Sequence, residues 1–277
     1  MSVQVSAERR LVAGAGLADR PRKSRWPARL DVAQSGSGLV LGLFMWGHMV
    51  FVSSILISPD FMWMVTRAFE GYFFFGRTFP QIVGVIVALV FALLVLHALL
   101  AMRKFPISYR QAQTFVAHRR LLAHEDTTLW WVQAVTGFAL FFLAAAHLYQ
   151  MLMHPGAIGP YESGARVAGG WWPLYLVLLF AVELHGGIGL YRLAVKWGGF
   201  EGRDPAQTRR RLRAAKWAIT AFFLVLGLLT LAAYYRIGTQ LPARVQPSYV
   251  PGWLADPPTA PAPAWWPGHL SGPYRHH

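Results

Sequence analysis

Five apolar runs, each roughly 19 to 27 residues long, interrupt a chain that is otherwise polar and basic. They cover about Gly36 to Ile57, Gln81 to Met102, Leu129 to Met153, Trp171 to Trp197 and Trp217 to Tyr235. At about 1.5 Å of rise per residue, each run is long enough to cross a hydrocarbon layer about 30 Å thick as a helix. The pattern predicts an all-α membrane protein in three parts: a basic arm over residues 1–30, a bundle of five transmembrane helices over 31–236, and a tail over 237–277. The tail contains LADPPTAPAPAWWPGHL, a stretch too rich in proline to sustain a helix and expected to lie extended.

Composition agrees with the pattern and narrows the chemistry. The 277 residues are 55% hydrophobic with a formal net charge of +14, and the mean hydropathy is +0.36. An apolar middle with basic ends points to a polytopic membrane protein, not to a nucleic-acid binder. There is no cysteine, which excludes disulfides, thiolate-held iron–sulfur clusters and covalent C-x-x-C-H haem attachment in this chain. No apolar stretch precedes Arg20 to Arg29, so no cleavable signal peptide is expected. Nineteen lysines and arginines flank one side of the five runs and six the other. That asymmetry places the N-terminus in the cytoplasm and the C-terminal tail outside.

Polar residues inside the runs are where function is expected, because lipid tolerates them poorly. The fourth run carries Glu183, His185 and Arg192, and the first three carry one histidine each: His48, His97 and His147. Runs one and three point outward, with His48 about 12 residues past Gly36 and His147 about 18 past Leu129, so both lie in the outer half. Runs two and four point inward, with His97 six residues before Arg103 and His185 eleven before Lys196, so both lie in the inner half. Two histidine pairs at two depths suit two stacked b-type haems, each with one imidazole from each of two neighbouring helices. Gly47, Gly137, Gly186, Gly187 and Gly189 leave room for a flat ring against backbone, or for close helix packing. A lone intramembrane histidine more often bonds a neighbouring helix, and it is the fourfold, two-level pattern that favours haem. One acid in the spans is too few for a carboxylate-bridged di-iron bundle. A haem-free transporter with a proton relay through Glu183 and the histidines stays open as a second reading.

The runs DVAQSGSGLVLGLFMWGHMVFVSSIL, HALLAMRKFPISYRQ, DTTLWWVQAVTGFALFF and WPLYLVLLFAVELHGGIGLYRLAVKWG give the sequence its family likeness. From about Ser24 to Tyr235 it resembles the single-chain, two-haem cytochrome b subunit of bacterial quinol:fumarate reductases and their succinate dehydrogenase relatives. The resemblance implies a five-helix anchor that binds haem b twice and exchanges electrons with menaquinone or menaquinol. It also implies an iron–sulfur subunit and an FAD-containing flavoprotein docked on the cytoplasmic face, a dimer of the whole complex, and dicarboxylate chemistry on a partner chain. His48, His97, His147 and His185 fall where the family has its axial ligands, and the family pairs His48 with His147 and His97 with His185.

Other residues carry over one by one. In the run WMVTRAFE, Glu70 matches a family glutamate needed for quinol oxidation. Read alone, Ser58 to Pro80 is an aromatic-rich interfacial element that sets the acid Glu70 near the outer pair, which suits a quinone headgroup or an ordinary interfacial belt. Glu183 matches an intramembrane glutamate proposed to relay protons inward; without the likeness it is a proton shuttle or a helix-bonding group. Gln34, Ser35, Trp130, Arg166 and Lys196 match positions that hold haem propionates, and all five lie at segment ends, where Arg166 and Lys196 also suit simple positive flanking. His118 and His124 sit in a basic cytoplasmic loop suited to docking the iron–sulfur subunit. His154, His269, His276 and His277 fall on the outer side, expected to be solvated. A haem b anchor for a different dehydrogenase is the third reading.

Overall fold

The computed structural model describes residues 24–105, 108, 110, 113, 125–241 and 249–255. Most of the basic arm, His118, His124, His269, His276, His277 and the proline-rich part of the tail lie outside the described residues.

Nine helices occur among the described residues, and most are opened by proline. In chain order they are α1 (Trp26–Val52), α2 (Pro59–Phe69), α3 (Tyr72–Phe75), α4 (Pro80–Met102), α5 (Glu125–Met153), α6 (Pro160–Arg166), α7 (Trp172–Trp197), α8 (Pro205–Gln240) and α9 (Gly252–Ala255). Pro27, Pro59, Pro80, Pro160, Pro173 and Pro205 fall in first turns, where the missing N–H costs nothing and the fixed φ is already helical. Side-chain caps reinforce two of these starts. Ser58 accepts from the Phe61 N–H at 3.0 Å, and Asp204 accepts from Ala206 at 2.9 Å and Gln207 at 3.2 Å.

Five helices are long and apolar enough to cross a membrane: α1 with its 3-10 extension Ser53–Leu56, α4, α5, the α6–α7 unit and α8. Three of them begin well before the apolar run does, the α6–α7 unit at Pro160 instead of near Trp171. α1 starts at Trp26 instead of near Gly36, and α8 at Pro205 instead of near Trp217. Charge marks where a helix leaves hydrocarbon, not where it ends; Arg, Ala, Gln and Lys between 205 and 216 are good helix formers and carry α8 on into the polar side. The outer faces stay apolar: Leu43, Val85, Leu89, Phe142, Phe222, Val225 and Leu229 are exposed, a surface suited to lipid.

α7 is the hub. It packs against α5, α8 and α1, while α4 closes the ring between α1 and α5. Small residues set the close approaches: a Cβ on Gly42 would lie 3.1 Å from Leu190, and one on Gly227 would lie 2.5 Å from Leu179. At the end of the bundle that the charge asymmetry predicts to be the outer one, α2 lies beside α1, with Phe51 and Phe69 edge to face at 4.9 Å. Gly71, with φ +80°, turns the chain from α2 into α3 in a conformation that a side chain would strain.

Candidate functional site

A single cavity of about 1260 Å³ runs through the bundle and is lined by α1, α4, α5 and α7, with all four intramembrane histidines on its wall. It exceeds the roughly 300–1,000 Å³ of an ordinary small-molecule pocket. At its outer level the rings of His48 and His147 have centroids 6.2 Å apart; at its inner level those of His97 and His185 are 6.4 Å apart. One metal bonded to two imidazole nitrogens, each about 2 Å away, places the ring centroids about 6.3 Å apart. Both pairs therefore fit one axially ligated iron between them.

The inner rings are held by hydrogen bonds at Nδ1. Ser37 Oγ donates to the Gln34 carbonyl at 3.0 Å and lies 3.0 Å from His97 Nδ1. With its one proton committed, the hydroxyl accepts from Nδ1–H, leaving Nε2 as the free lone pair. His185 Nδ1 donates to the Gln133 carbonyl at 2.8 Å, with the same consequence. Each ring also rests on a glycine of the neighbouring helix. A Cβ on Gly38 would lie 2.9 Å from His97 Cε1, and one on Gly137 would lie 2.8 Å from His185 Cε1.

Aromatic packing holds the outer rings. Phe44 stacks on His48 with centroids 5.9 Å apart and 9° between planes, and Tyr175 meets His147 edge-on at 5.5 Å. His147 Nδ1 is buried without a hydrogen-bond partner among the described residues. Arg166 stands above this level, bonded to Tyr175 Oη at 3.1 Å, the Ala157 carbonyl at 2.9 Å and Ser163 Oγ at 3.1 Å, and it lines the cavity. It ends α6 where the π-helical turn Val167–Trp171 begins, a turn that contains Gly170 at φ +110°.

At the inner mouth the structure gathers Gln34, Ser35, Trp130 and Lys196 on the cavity wall. The Gln34 side-chain oxygen is buried without a hydrogen-bond partner among the described residues, and Lys196 Nζ donates to Ser35 Oγ at 3.3 Å. Two further residues belong here that sequence reasoning passed over. Asp31 pairs with both Lys196 and Lys104, and Lys104 lines the cavity beside them. Their signal was the run DVAQS, which sets Asp31 one turn before Gln34 and Ser35, and the position of Lys104 at the end of α4. Gln133 was missed as well, since a backbone carbonyl that accepts from a ring 52 positions away leaves no mark in the sequence.

The two acids lie off the cavity wall. Glu70 is fully buried at the C-terminus of α2 and pairs with Arg67, one residue beyond the cavity-lining Phe69. Its other oxygen, Oε1, is buried without a hydrogen-bond partner among the described residues. Burial pushes the Glu70 carboxyl above the ordinary range, Arg67 opposes that shift, and the charge of Glu162 on α6 adds to it. Glu183 is also fully buried, beside Trp46 and one turn from both Leu179 and Gly187, which pack on Gly227 and Thr220 of α8. Neither of its oxygens has a hydrogen-bond partner among the described residues. His154 is exposed on the outer side.

Comparison with known proteins places this arrangement. The fumarate reductase cytochrome b subunit of Wolinella succinogenes is 55% identical over 226 residues, 81% of this chain and 88% of the relative. The chain belongs to the fumarate reductase cytochrome b subunit family. The Helicobacter pylori protein of the same name (strain 26695) is 52% identical over 220 residues, 79% of this chain and 85% of the relative. The family described as succinate dehydrogenase/fumarate reductase transmembrane subunit matches residues 109–226, from before α5 well into α8. As a member of this cytochrome b family the chain is a multi-pass membrane anchor of the complex, and the catalysis of that complex lies on other subunits.

Proposed function

We propose that this chain is the quinone-reactive, electron-carrying anchor of a fumarate reductase or succinate dehydrogenase complex, with haem b bound at both levels of the cavity. One observation carries the reading: two imidazole pairs, 6.2 and 6.4 Å apart by centroid, on the wall of one cavity. His48 and His147 would hold the outer iron, His97 and His185 the inner. Haem b, when bound, supplies a reversible one-electron centre at each level.

The chain's own residues do the rest. At the inner level Ser37 and the Gln133 carbonyl fix the tautomer that leaves Nε2 of each ring with the free lone pair. Lys196, Gln34, Ser35 and Trp130 offer cationic, hydrogen-bonding and aromatic partners for inner propionates, with Arg166 serving the outer ones. Glu70 accepts the proton that menaquinol gives up on the outer side. Glu183, buried between α1, α7 and α8, takes up and passes on protons toward the inner side. Electrons then move to or from an iron–sulfur subunit and an FAD flavoprotein on the cytoplasmic face, where the basic loops and the polar end of α8 lie. The same parts serve fumarate reduction and succinate oxidation.

The test is a dithionite-reduced spectrum with haem quantified per polypeptide. Two haems per chain are expected, falling to one in His97→Ala or in His48→Ala. A colourless protein would return the chain to the transporter reading, and a single haem would remove the two-level assignment.

A further inference from the structure

Residues 249–255 lie across the outer side of the bundle, against α2 and α6. Pro251 is fully buried. The Tyr249 hydroxyl donates to Asp60 in the first turn of α2, and its ring meets Tyr161 of α6 at 4.8 Å and 83°. Burial and the neighbouring Asp60 both raise the pKa of the Tyr249 phenol, so it stays a donor. Four residues on, Trp253 meets Trp63 edge to face at 5.6 Å and 86°.

Trp63 is the link to the chemistry. It is buried, held on another side by Tyr72 at 6.0 Å, and it carries the Arg67 guanidinium 5.6 Å from its ring centroid. Arg67 in turn pairs with Glu70. A continuous set of contacts thus runs from Trp253 through Trp63 and Arg67 to the Glu70 carboxylate. A cation on an aromatic face is directed by that face, so moving the ring moves the cation. We propose that the segment Tyr249–Ala255 is a positioning strap for the quinol site: Trp253 fixes Trp63, and Trp63 fixes the Arg67 guanidinium that orients Glu70. The inference rests on the reading of Glu70 as the proton acceptor. Trp253 and Tyr249 act through Arg67 and are positioning residues.

Besides Arg67, the charged and titratable groups packed around this corner are Asp60 on α2, Tyr72 on α3, Tyr161 and Glu162 on α6, and Tyr249 on the strap. Only Arg67 is positive among these named groups. A displaced Arg67 leaves Glu70 harder to ionise, so the acidic limb of quinol oxidation moves to higher pH.

The test uses the intact complex, with a reduced naphthoquinone as donor and fumarate as acceptor. Trp253→Ala is expected to keep both haems and an unchanged KM for quinol while kcat falls about tenfold or more. Its acidic limb should shift upward, the same direction as in Arg67→Met, and Trp253→Phe should restore both readouts. If Trp253→Ala fails to assemble, Tyr249→Phe reads the same limb with only a hydroxyl removed. Limbs for Trp253→Ala and Tyr249→Phe that superimpose on that of the unaltered complex would overturn the strap. Full quinol oxidation by Glu70→Gln would sink the Glu70 reading itself and this inference with it, so the two failures are distinguishable.

Discussion

The inner and outer histidine pairs have nearly the same spacing and reach it by different means. At the inner level each ring has an oxygen at Nδ1 and a glycine beneath it: Ser37 and Gly38 for His97, the Gln133 carbonyl and Gly137 for His185. At the outer level Phe44 and Tyr175 do the holding, and His147 Nδ1 has no protein partner among the described residues. Hydrogen bonds fix both the tautomer and the ring direction, whereas aromatic packing fixes the plane and leaves the protonated nitrogen undetermined. The inner rings thus have their tautomer fixed by the chain's own oxygens, whereas packing holds the outer rings in plane.

The largest expected effect sets both levels aside. Glu183→Gln should keep both haems by spectrum yet abolish turnover with menaquinol, since Glu183 lies off the cavity wall; retained full turnover removes the relay role. Next comes a substitution confined to the inner level. Gly137→Ala drives a methyl group to within 2.8 Å of His185 Cε1, an overpacking worth about 1–3 kcal/mol, and haem quantitation should show the inner haem depleted while the outer one persists. Equal depletion at both levels would erase the contrast drawn here. Ser37→Ala is milder: it removes the Nδ1 partner of His97 and should weaken inner haem retention by about 10- to 100-fold. Tyr175→Phe keeps the ring against His147 and should leave haem retention nearly untouched, as a titration of haem loss against apomyoglobin would show.

The smallest effect is a shift in pH. Glu70 must be ionised to accept a proton, and burial with the Glu162 charge holds its pKa up. The acidic limb of quinol oxidation should therefore lie above the ordinary carboxylate range. Glu162→Gln removes a like charge, so Glu70 ionises more easily and the limb should move to lower pH. A limb that stays put would show that Glu162 does not act on the rate-limiting proton.

Much of the fold was legible because crossing a membrane is a constraint on length and polarity, both of which are written along the chain. The five spans could be read directly, whereas the helical extensions at Trp26 and Pro205 could not, since charge marks the water boundary and says nothing of where backbone hydrogen bonding stops. Glu70 and Glu183 were visible as lone acids in apolar company. Asp31 and Lys104 left only a trace, their places in DVAQS and just past α4, because the ion pairs that Asp31 makes with Lys104 and Lys196 join distant parts of the chain, and the carbonyl that Gln133 lends to His185 left none.

Level along the bundle is one coordinate, and a constant rise per residue counted from the ends of each apolar run determines it; that His48 shares a level with His147 and His97 with His185 is therefore a property of the chain alone. Which nitrogen of each ring is free, which glycine lies beneath it, and whether a segment seven residues long reaches back over Trp63 depend on how helices cross and rotate about their own axes. Those are relations between elements far apart in the chain, set by side-chain packing across their contacts, and only the assembled tertiary structure decides them.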